Sequence, residues 1–253
     1  MEFAYLSTTV SIKTVSEDAK RGVFEAEGLF AGYGLTIGNS LRRVLLSSLP
    51  GAAITELKIK NAPHEFSTLP GVKEDLVELS LNFKKVRFKM HTDEPQVFSL
   101  KVKGEKIVTA ADIKVTSEAE ITNPDEVLAN LTSKDADLDI EVTVERGLGY
   151  SPVEARKGGR LSIGTIAIDA IFTPVQKVNY VVEDMRVGER TDYNRLRLEI
   201  ETDGTVSPSA ALHKSANILK DHFEKISAVA VQEFEAPKVE TAVVKKGRSK
   251  KVS

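Results

Sequence analysis

The stretch from Gly32 to Leu49 constrains the fold of this chain more than any other. It follows a strand-like run at Val23–Leu29 and ends at Pro50-Gly51. The glycines at 32, 34 and 38 free the backbone for a tight turn from a strand into a helix. The helix is predicted to run for roughly ten residues before the Pro-Gly pair stops it. The sequence therefore predicts a strand–turn–helix unit near the amino terminus.

This helix has two unlike faces when its residues are placed at about 100° intervals. The apolar face, typical of a core stripe, carries Ile37, Leu41, Val44, Leu45 and Ser48. The other face carries Asn39, Arg42, Arg43 and Leu46. Two arginines beside a leucine on a rigid helix are typical of an anchor set for protein binding. A solvated face with one incidental leucine explains the same residues equally well.

A second helix is predicted at Val72–Phe83, and a third is predicted to start at Ser207-Pro208 and to run to about Phe234. Between them strands dominate. The clearest is the alternating run from Leu138 to Glu145, which is typical of a half-buried antiparallel strand. These elements, strands first and helices at intervals, indicate an α+β fold.

The apolar stripe of the last predicted helix spans nearly half of its circumference. Its central residues are Leu212, Ala216, Leu219, Phe223, Ile226 and Ala230. A helix that only packs on one sheet needs a narrower stripe, so part of this one is expected to meet another subunit. The alternative is a helix buried deeply in the core of its own chain.

Composition excludes several classes of function. The chain has 253 residues, a formal net charge of −2 and no cysteine, so neither bulk attraction to nucleic acid nor a thiolate site is indicated. No apolar run approaches the ~20 residues of a membrane span. The amino terminus has no signal-peptide pattern. A cytoplasmic protein without membrane contact is therefore expected.

No catalytic or metal-binding constellation is visible, and the four histidines are scattered along the chain. The glycines at 32, 34 and 38 imitate a dinucleotide-binding fingerprint. Their spacing is one residue too long, and no repeating strand–helix–strand units follow. An enzyme that binds a nucleotide at this turn therefore remains a minor alternative.

A series of blocks along the chain resembles the alpha subunit of bacterial RNA polymerase. The first is the helix motif T-I-G-N-S-L-R-R-V-L-L-S-S-L-P-G, which begins at Thr36. The later ones are H-E-F-S-T at 64–68, G-V-K-E-D at 71–75, V-T-A-A-D-I at 108–113, R-G-L-G-Y at 146–150, D-A-I-F-T-P-V at 169–175, R-T-D at 190–192 and L-E-I-E-T-D-G-T at 198–205. The resemblance covers residues 1–235, and the blocks occur in the order of the family.

The resemblance implies a two-domain organisation, for which composition alone gives little support. Residues 1–48 and 174–235 would form a discontinuous dimerisation domain, with an antiparallel sheet and two long helices. A mainly-β domain, residues 49–173, would be inserted into it. Residues 236–253 are basic and lack any hydrophobic period, so a disordered tail is expected there.

The resemblance also implies a role without chemistry in this chain. Two copies would dimerise and recruit first the beta and then the beta-prime subunit, with omega and sigma in the assembled DNA-directed RNA polymerase. Nucleotidyl transfer, magnesium and zinc would belong to the large subunits, so no cofactor is expected here. A homodimeric protein-binding module unrelated to polymerase is the other class of function that fits.

Site residues follow from the resemblance position by position. Beta contacts are implied at Asn39, Arg42, Arg43, Leu46, His64, Glu65 and Phe66. Beta-prime contacts are implied at Lys84, Pro174, Val175, Lys177, Arg190 and Asp192. The dimer interface is expected at Leu41, Leu45, Leu212, Leu219, Phe223 and Ile226.

Most members of the family carry a further helical domain that binds promoter DNA. The sequence ends at Ser253, soon after the last predicted helix, so either this lineage lacks that domain or the chain is a truncated form. DNA contact would then be indirect, or weak and dependent on salt, through the basic tail.

Overall fold

Two large antiparallel sheets, two two-stranded sheets and four helices make up the fold, seen in a computed structural model that describes residues 9–62, 64–156 and 164–230. The helices are α1 (Tyr33–Ser47), α2 (Leu76–Phe83), α3 (Val153–Arg156) and α4 (Pro208–Ser227), with a 3₁₀ turn at Ala110–Asp112. The strands are β1 (Ser11–Glu17), β2 (Arg21–Leu29), β3 (Pro50–Ile59), β4 (Phe88–Met90), β5 (Gln96–Lys103), β6 (Lys106–Thr109), β7 (Ile113–Lys114), β8 (Ala119–Ile121), β9 (Val127–Leu131), β10 (Asp137–Leu148), β11 (Tyr150–Ser151), β12 (Thr165–Ala167), β13 (Ala170–Ile171), β14 (Val175–Val187) and β15 (Arg190–Thr202). The two-stranded sheets are β6–β9 and β11–β13. The predicted α+β class is confirmed.

The first sheet joins the two ends of the described chain. Its strand order is β1-β2-β15-β14, and every neighbouring pair is antiparallel. Helix α1 packs on β14 and β15, and α4 packs beside α1 on the same sheet. Between helices and sheet lies a core that includes Phe24, Leu45, Leu49, Leu198 and Ile200. The two helices cover one face of the sheet, so this part of the fold consists of one layer of helices packed on one layer of strands.

Helix α1 is longer at its amino end than the predicted ten residues. Of the three glycines, Gly32 alone makes the turn, with φ of 84°, and Gly34 and Gly38 lie inside the helix. A Cβ atom on Gly38 would lie 2.8 Å from Tyr180 Cδ2 and 2.9 Å from Leu196 Cδ1. The expectation that all three glycines form the turn was wrong, because two of them instead let the helix approach the sheet closely.

The second sheet is built from the middle of the chain. Its order is β7-β5-β10-β3-β4-β8, and β12 also pairs with β3. Strand β10 buries Leu138, Ile140, Val142 and Val144 completely, whereas the residues between them are more exposed. The alternation predicted for this run is confirmed. Helix α2 closes the core of this sheet with its own buried side chains, among them Phe83.

The chain enters and leaves the second sheet at one place. A Cβ atom on Gly51, near the start of β3, would lie 1.8 Å from the Phe172 carbonyl oxygen. Phe172 also shares a small core cluster with Ala53 and Ala170. The two sheets therefore have separate hydrophobic cores, joined where two crossing segments touch. The domain boundaries stay a prediction.

Two helix ends differ from the sequence expectation. Helix α2 begins at Leu76 rather than at Val72, because the Asp75 side chain caps it by accepting from the Glu78 amide at 2.7 Å. Val72 instead forms an isolated bridge with Leu131. Helix α4 ends at Ser227, seven residues before the predicted end at Phe234, which lies outside the described residues. The predicted tail at 236–253 also lies outside them.

Candidate protein-interaction surfaces

The outer face of α1 presents the two arginines of the predicted anchor set. Arg42, Arg43 and Asn39 are exposed, and Leu46 is half-buried against the core of the first sheet. Among the described residues, no carboxylate lies within ion-pairing distance of either arginine. Their charges are therefore available to a partner, while Leu46 both supports the helix and offers part of its surface.

The loop of His64, Glu65 and Phe66 lies in the other layer, between β3 and α2. All three side chains are exposed, and Phe66 is 76% exposed. The loop is held by its backbone: the Ser67 hydroxyl donates to the His64 carbonyl at 2.7 Å, and the Leu76 amide donates to the Ser67 carbonyl at 3.2 Å. A large aromatic ring on a tethered loop is well suited to anchor a partner.

Lys84 lies at the end of α2 and points toward a carboxylate. Its Nζ atom is 3.7 Å from Asp169 Oδ2. A hydrogen bond from the Val153 amide, at 3.0 Å, and another from the Tyr150 hydroxyl lower the pKa of Asp169. Asp169 therefore stays charged near neutral pH and restricts where the Lys84 ammonium can lie.

The other predicted beta-prime residues differ in accessibility. Pro174 and Val175 are buried, so their side chains have little surface to offer a partner. Lys177 is exposed. These residues lie at the start of β14, at the opposite end of that strand from Arg190 and Asp192 in the β14–β15 hairpin.

Arg190 makes a two-point ion pair with Asp192. The Nε–Oδ1 distance is 3.0 Å and the Nη2–Oδ2 distance is 2.6 Å. The guanidinium also lies over the Phe30 ring, 5.0 Å from its centroid, and over Tyr193 at 5.4 Å. Stacking and pairing hold this arginine in one orientation on the surface.

An apolar groove lies between α1, α4 and the inner face of the first sheet. It encloses about 430 Å³. The predicted dimer residues on its wall are Leu41, Leu212, Leu219 and Phe223. Phe223 is 61% exposed and Ile226, one turn further along α4, is 63% exposed. The structure thus brings these residues to one surface.

Leu45 does not belong to that surface. It is completely buried against Leu49 and Val178 in the core of the first sheet, so it has no area left for a second chain. The sequence reasoning also missed Val10 and Ile12, which line the groove from the start of β1. The two residues are two positions apart on a predicted strand, which places them on the same face, and this spacing could have identified them.

Two of the three glycines serve close packing and do not form the turn. Gly34 and Gly38 lie inside α1, and a Cβ atom on Gly34 would lie 2.7 Å from Val182 Cγ1, so the sheet occupies the space behind the helix. Within residues 9–62, 64–156 and 164–230, no group of acidic or histidine side chains is placed to hold a metal ion. No helix in this same part of the chain is long and apolar enough to cross a membrane.

Comparison with known proteins assigns this chain to a family. Residues 57–173 match the family described as "RNA polymerase Rpb3/RpoA insert domain". The chain is 50% identical over 216 residues to the DNA-directed RNA polymerase subunit alpha of Roseiflexus sp. (strain RS-1), covering 85% of this chain and 66% of that protein. It is 49% identical over 215 residues to the same subunit of Symbiobacterium thermophilum, covering 84% of this chain and 68% of that protein.

A third relative, the same subunit of Carboxydothermus hydrogenoformans, is 48% identical over 213 residues, with 84% of this chain and 68% of the relative covered. The chain thus spans about two thirds of the length of these relatives. With nearly half of its residues shared along most of its length, the chain belongs to the family of DNA-directed RNA polymerase alpha subunits.

Proposed function

We propose that this chain is the assembly scaffold of a cytoplasmic, bacterial-type RNA polymerase. Two copies form a dimer that binds the beta subunit and then beta-prime, and omega and sigma complete the enzyme. Nucleotidyl transfer takes place on the large subunits, and this chain contributes binding surfaces. The observation that carries the proposal is the apolar groove beside the exposed Phe223, in a chain of this family.

The dimer is supported by the apolar surface that stays exposed on a single copy. Phe223 and Ile226 are more than half exposed at the carboxyl end of α4, and most of the side chains that line the groove beside them are apolar. Contiguous apolar surface of this kind marks an interaction site in a soluble chain. A two-fold dimer uses the same patch on both copies, so the α4 end of one copy can cover the groove of the other.

The beta contact is supported by the outer face of α1. Arg43 is exposed and has no acidic neighbour among the described residues, and Leu46 lies one turn further along the helix. Arginine beside an apolar side chain is the composition of an interface anchor. The dimer is symmetric, so both copies present this face. The enzyme contains one beta subunit, so the face of one copy binds beta and that of the other copy does not.

Co-expression with a bacterial beta subunit, followed by light scattering, tests the proposal. The expected species has two copies of this chain and one beta subunit. Arg43→Ala should leave the free dimer intact and weaken beta binding by about 2 kcal/mol or more, because an interfacial anchor is removed. Lys103→Ala, which removes an exposed charge from β5 in the second sheet, is the matched control and should bind normally.

The outcomes separate the two classes of function. A stable homodimer that ignores beta subunits, including one from a close relative, would favour a binding module unrelated to polymerase. A monomer would contradict both. Normal beta binding by Arg43→Ala would remove the anchor role of that residue while leaving the scaffold itself in place.

A further inference from the structure

An interlayer cleft of about 430 Å³ opens between the two sheets, away from the apolar groove. Its walls come from both layers. Lys20 in the β1–β2 turn and Gln176 in β14 belong to the first sheet, whereas Lys84, Lys85 and Arg87 follow α2 in the second layer. An occupant of this cleft would therefore touch both layers at once.

The cleft carries four basic side chains against two acidic ones. Lys85 pairs with Glu126 at 3.9 Å, and Lys84 pairs with Asp169 at 3.7 Å. The two acidic residues of the cleft wall are Glu126 and Asp203, whereas Asp169 lies outside it. Asp203 is 7% exposed and accepts from the Thr205 amide and hydroxyl at 2.9 and 2.6 Å. Its charge is thus already engaged within its own turn.

Lys20 and Arg87 are the two cations left over. Among the described residues, neither the Lys20 ammonium nor the Arg87 guanidinium has a carboxylate oxygen within 4.0 Å, although the Lys20 backbone amide donates to Asp18 Oδ1 at 2.8 Å. Arg87 is half-buried, and one of its guanidinium nitrogens donates to the Ile171 carbonyl at 3.4 Å. Lys20 is exposed, and its side chain passes over Gly204. The cleft therefore holds uncompensated positive charge from both layers.

Hydrogen bonds hold the backbone at both cations. The Arg87 amide donates to Asn123 Oδ1 at 2.7 Å, and the Lys20 carbonyl accepts from the Thr202 amide at 2.7 Å. Leu81 stands on the wall and is 56% exposed. Two cations on held backbone, beside an exposed apolar side chain, form a pattern that complements acidic and apolar residues in a peptide.

We propose that the interlayer cleft binds an acidic peptide segment of a partner protein. Carboxylates of that segment would pair with Lys20 and Arg87, and an apolar side chain would cover Leu81. The cleft is larger than a single inorganic anion and is charged from two sides, which favours a segment of several residues over a free ion. Charge complementarity is therefore the argument for this occupant.

Lys84 belongs both to this cleft and to the proposed beta-prime surface. In a symmetric dimer that binds one beta-prime subunit, the second copy keeps its cleft open. The inference shares Lys84 with the proposed function, but it can be tested on the chain alone. Loss of beta binding would contradict the proposed function, whereas loss of preference for acidic peptides would contradict the cleft.

The test is fluorescence anisotropy of the full chain with a labelled peptide of alternating glutamate and leucine. A second peptide with glutamine in place of glutamate is the neutral comparison. At low salt the acidic peptide should bind at least about tenfold more tightly, and its affinity should fall as salt is added. Lys20→Glu and Arg87→Gln should each weaken it by about fivefold or more.

Lys103→Glu makes the same change of charge as Lys20→Glu at an exposed position of β5 and should leave the affinity unchanged. Equal affinity for the two peptides would overturn the inference, and so would equal weakening by Lys20→Glu and Lys103→Glu. Displacement by inorganic phosphate at the same concentration as the peptide would show a simple anion site instead. Lys20 is in an exposed turn, so its variant tests the cleft even if Arg87→Gln disturbs folding.

Discussion

At the scale of single residues, the lack of a side chain at one position lets α1 approach its sheet closely. Gly38 has no side chain where α1 crosses β14 and β15, and Tyr180 and Leu196 fill the space that a Cβ atom would need. The sequence alone marks Gly38 only as a flexible residue. It does not show that the glycine faces Tyr180 and Leu196, which are 142 and 158 positions further along the chain, since that depends on tertiary packing.

Gly38→Ala is expected to destabilise the chain although alanine is the better helix former. The gain in helix propensity is about 1 kcal/mol, but the added methyl group would overlap two side chains at once, which typically costs about 1–3 kcal/mol. Urea denaturation should show a net loss. Asn39→Ala, on the exposed face of the same helix, is the control and should not destabilise. A more stable Gly38→Ala chain would contradict the close packing of α1.

Glu74 is expected to give the stability a dependence on pH. Its side chain is 6% exposed and accepts from the Asn130 amide at 2.8 Å and from its side-chain nitrogen at 2.6 Å. Burial raises the pKa of Glu74, but the hydrogen bonds from Asn130 outweigh it, so the pKa lies below its ordinary value of 4.5. The stabilisation is therefore fully present above pH 4.5 and is lost as the pH falls through the folded-state value.

Glu74→Gln should lower the free energy of unfolding by about 1–2 kcal/mol at pH 7, because hydrogen bonds to a charged acceptor are lost. The difference from the unchanged chain should shrink as the pH is lowered below 4.5. Urea denaturation at several pH values measures both quantities. A difference that stays constant with pH would show that Glu74 contributes through its shape rather than its charge.

At the scale of elements, periodicity predicted which helices exist but not where they begin. Val72 continues the apolar period of α2, yet it forms an isolated bridge with Leu131. The helix begins after Asp75, which is its N-cap residue. The same limit applies to the interface. Leu41 and Leu45 share one stripe in the sequence, but Leu45 is buried in its own chain while Leu41 reaches the groove. A stripe gives the apolar side of a helix, and the neighbouring elements decide which part of it remains open.

Phe223→Glu is expected to break the dimer without unfolding the chain. The side chain is 61% exposed in one copy, so a carboxylate there is solvated in the monomer and becomes unpaired and buried on association. Light scattering should show a monomer, while circular dichroism remains that of a folded protein. Lys214→Glu, on an exposed position of α4 that does not line the groove, should stay dimeric. A dimeric Phe223→Glu chain would place the interface elsewhere.

At the scale of the whole molecule, the two sheets are separate packing units. The core around Phe83, Leu100 and Ile140 belongs to the second sheet, and the core around Phe24 and Leu198 belongs to the first. The sequence indicated an insertion only through its resemblance to a family, because prolines near 50 and 174 are weak boundary signals on their own. Which strands are neighbours, such as β2 and β15, follows from long-range pairing that local patterns do not encode.

A fragment of residues 49–173 is therefore expected to fold alone. It keeps every strand of the second sheet and α2, and a unit of this size should unfold cooperatively in urea with a free energy on the order of 5 kcal/mol. A fragment of residues 62–173 is the control, because it lacks β3, on which β10, β4 and β12 pair. The control should not fold. A broad, gradual transition of the longer fragment would show that the second sheet depends on the first.

The crossing of Gly51 and Phe172 also bears on how such a chain can change during evolution. The segments that lead into and out of the second sheet touch there, with the Phe172 carbonyl in the place of a Gly51 side chain. Residues can therefore be added to or removed from the second sheet without changing the length of any strand or loop in the first sheet. The second sheet can thus vary between lineages while α1 and α4, which carry the proposed dimer surface, keep their geometry.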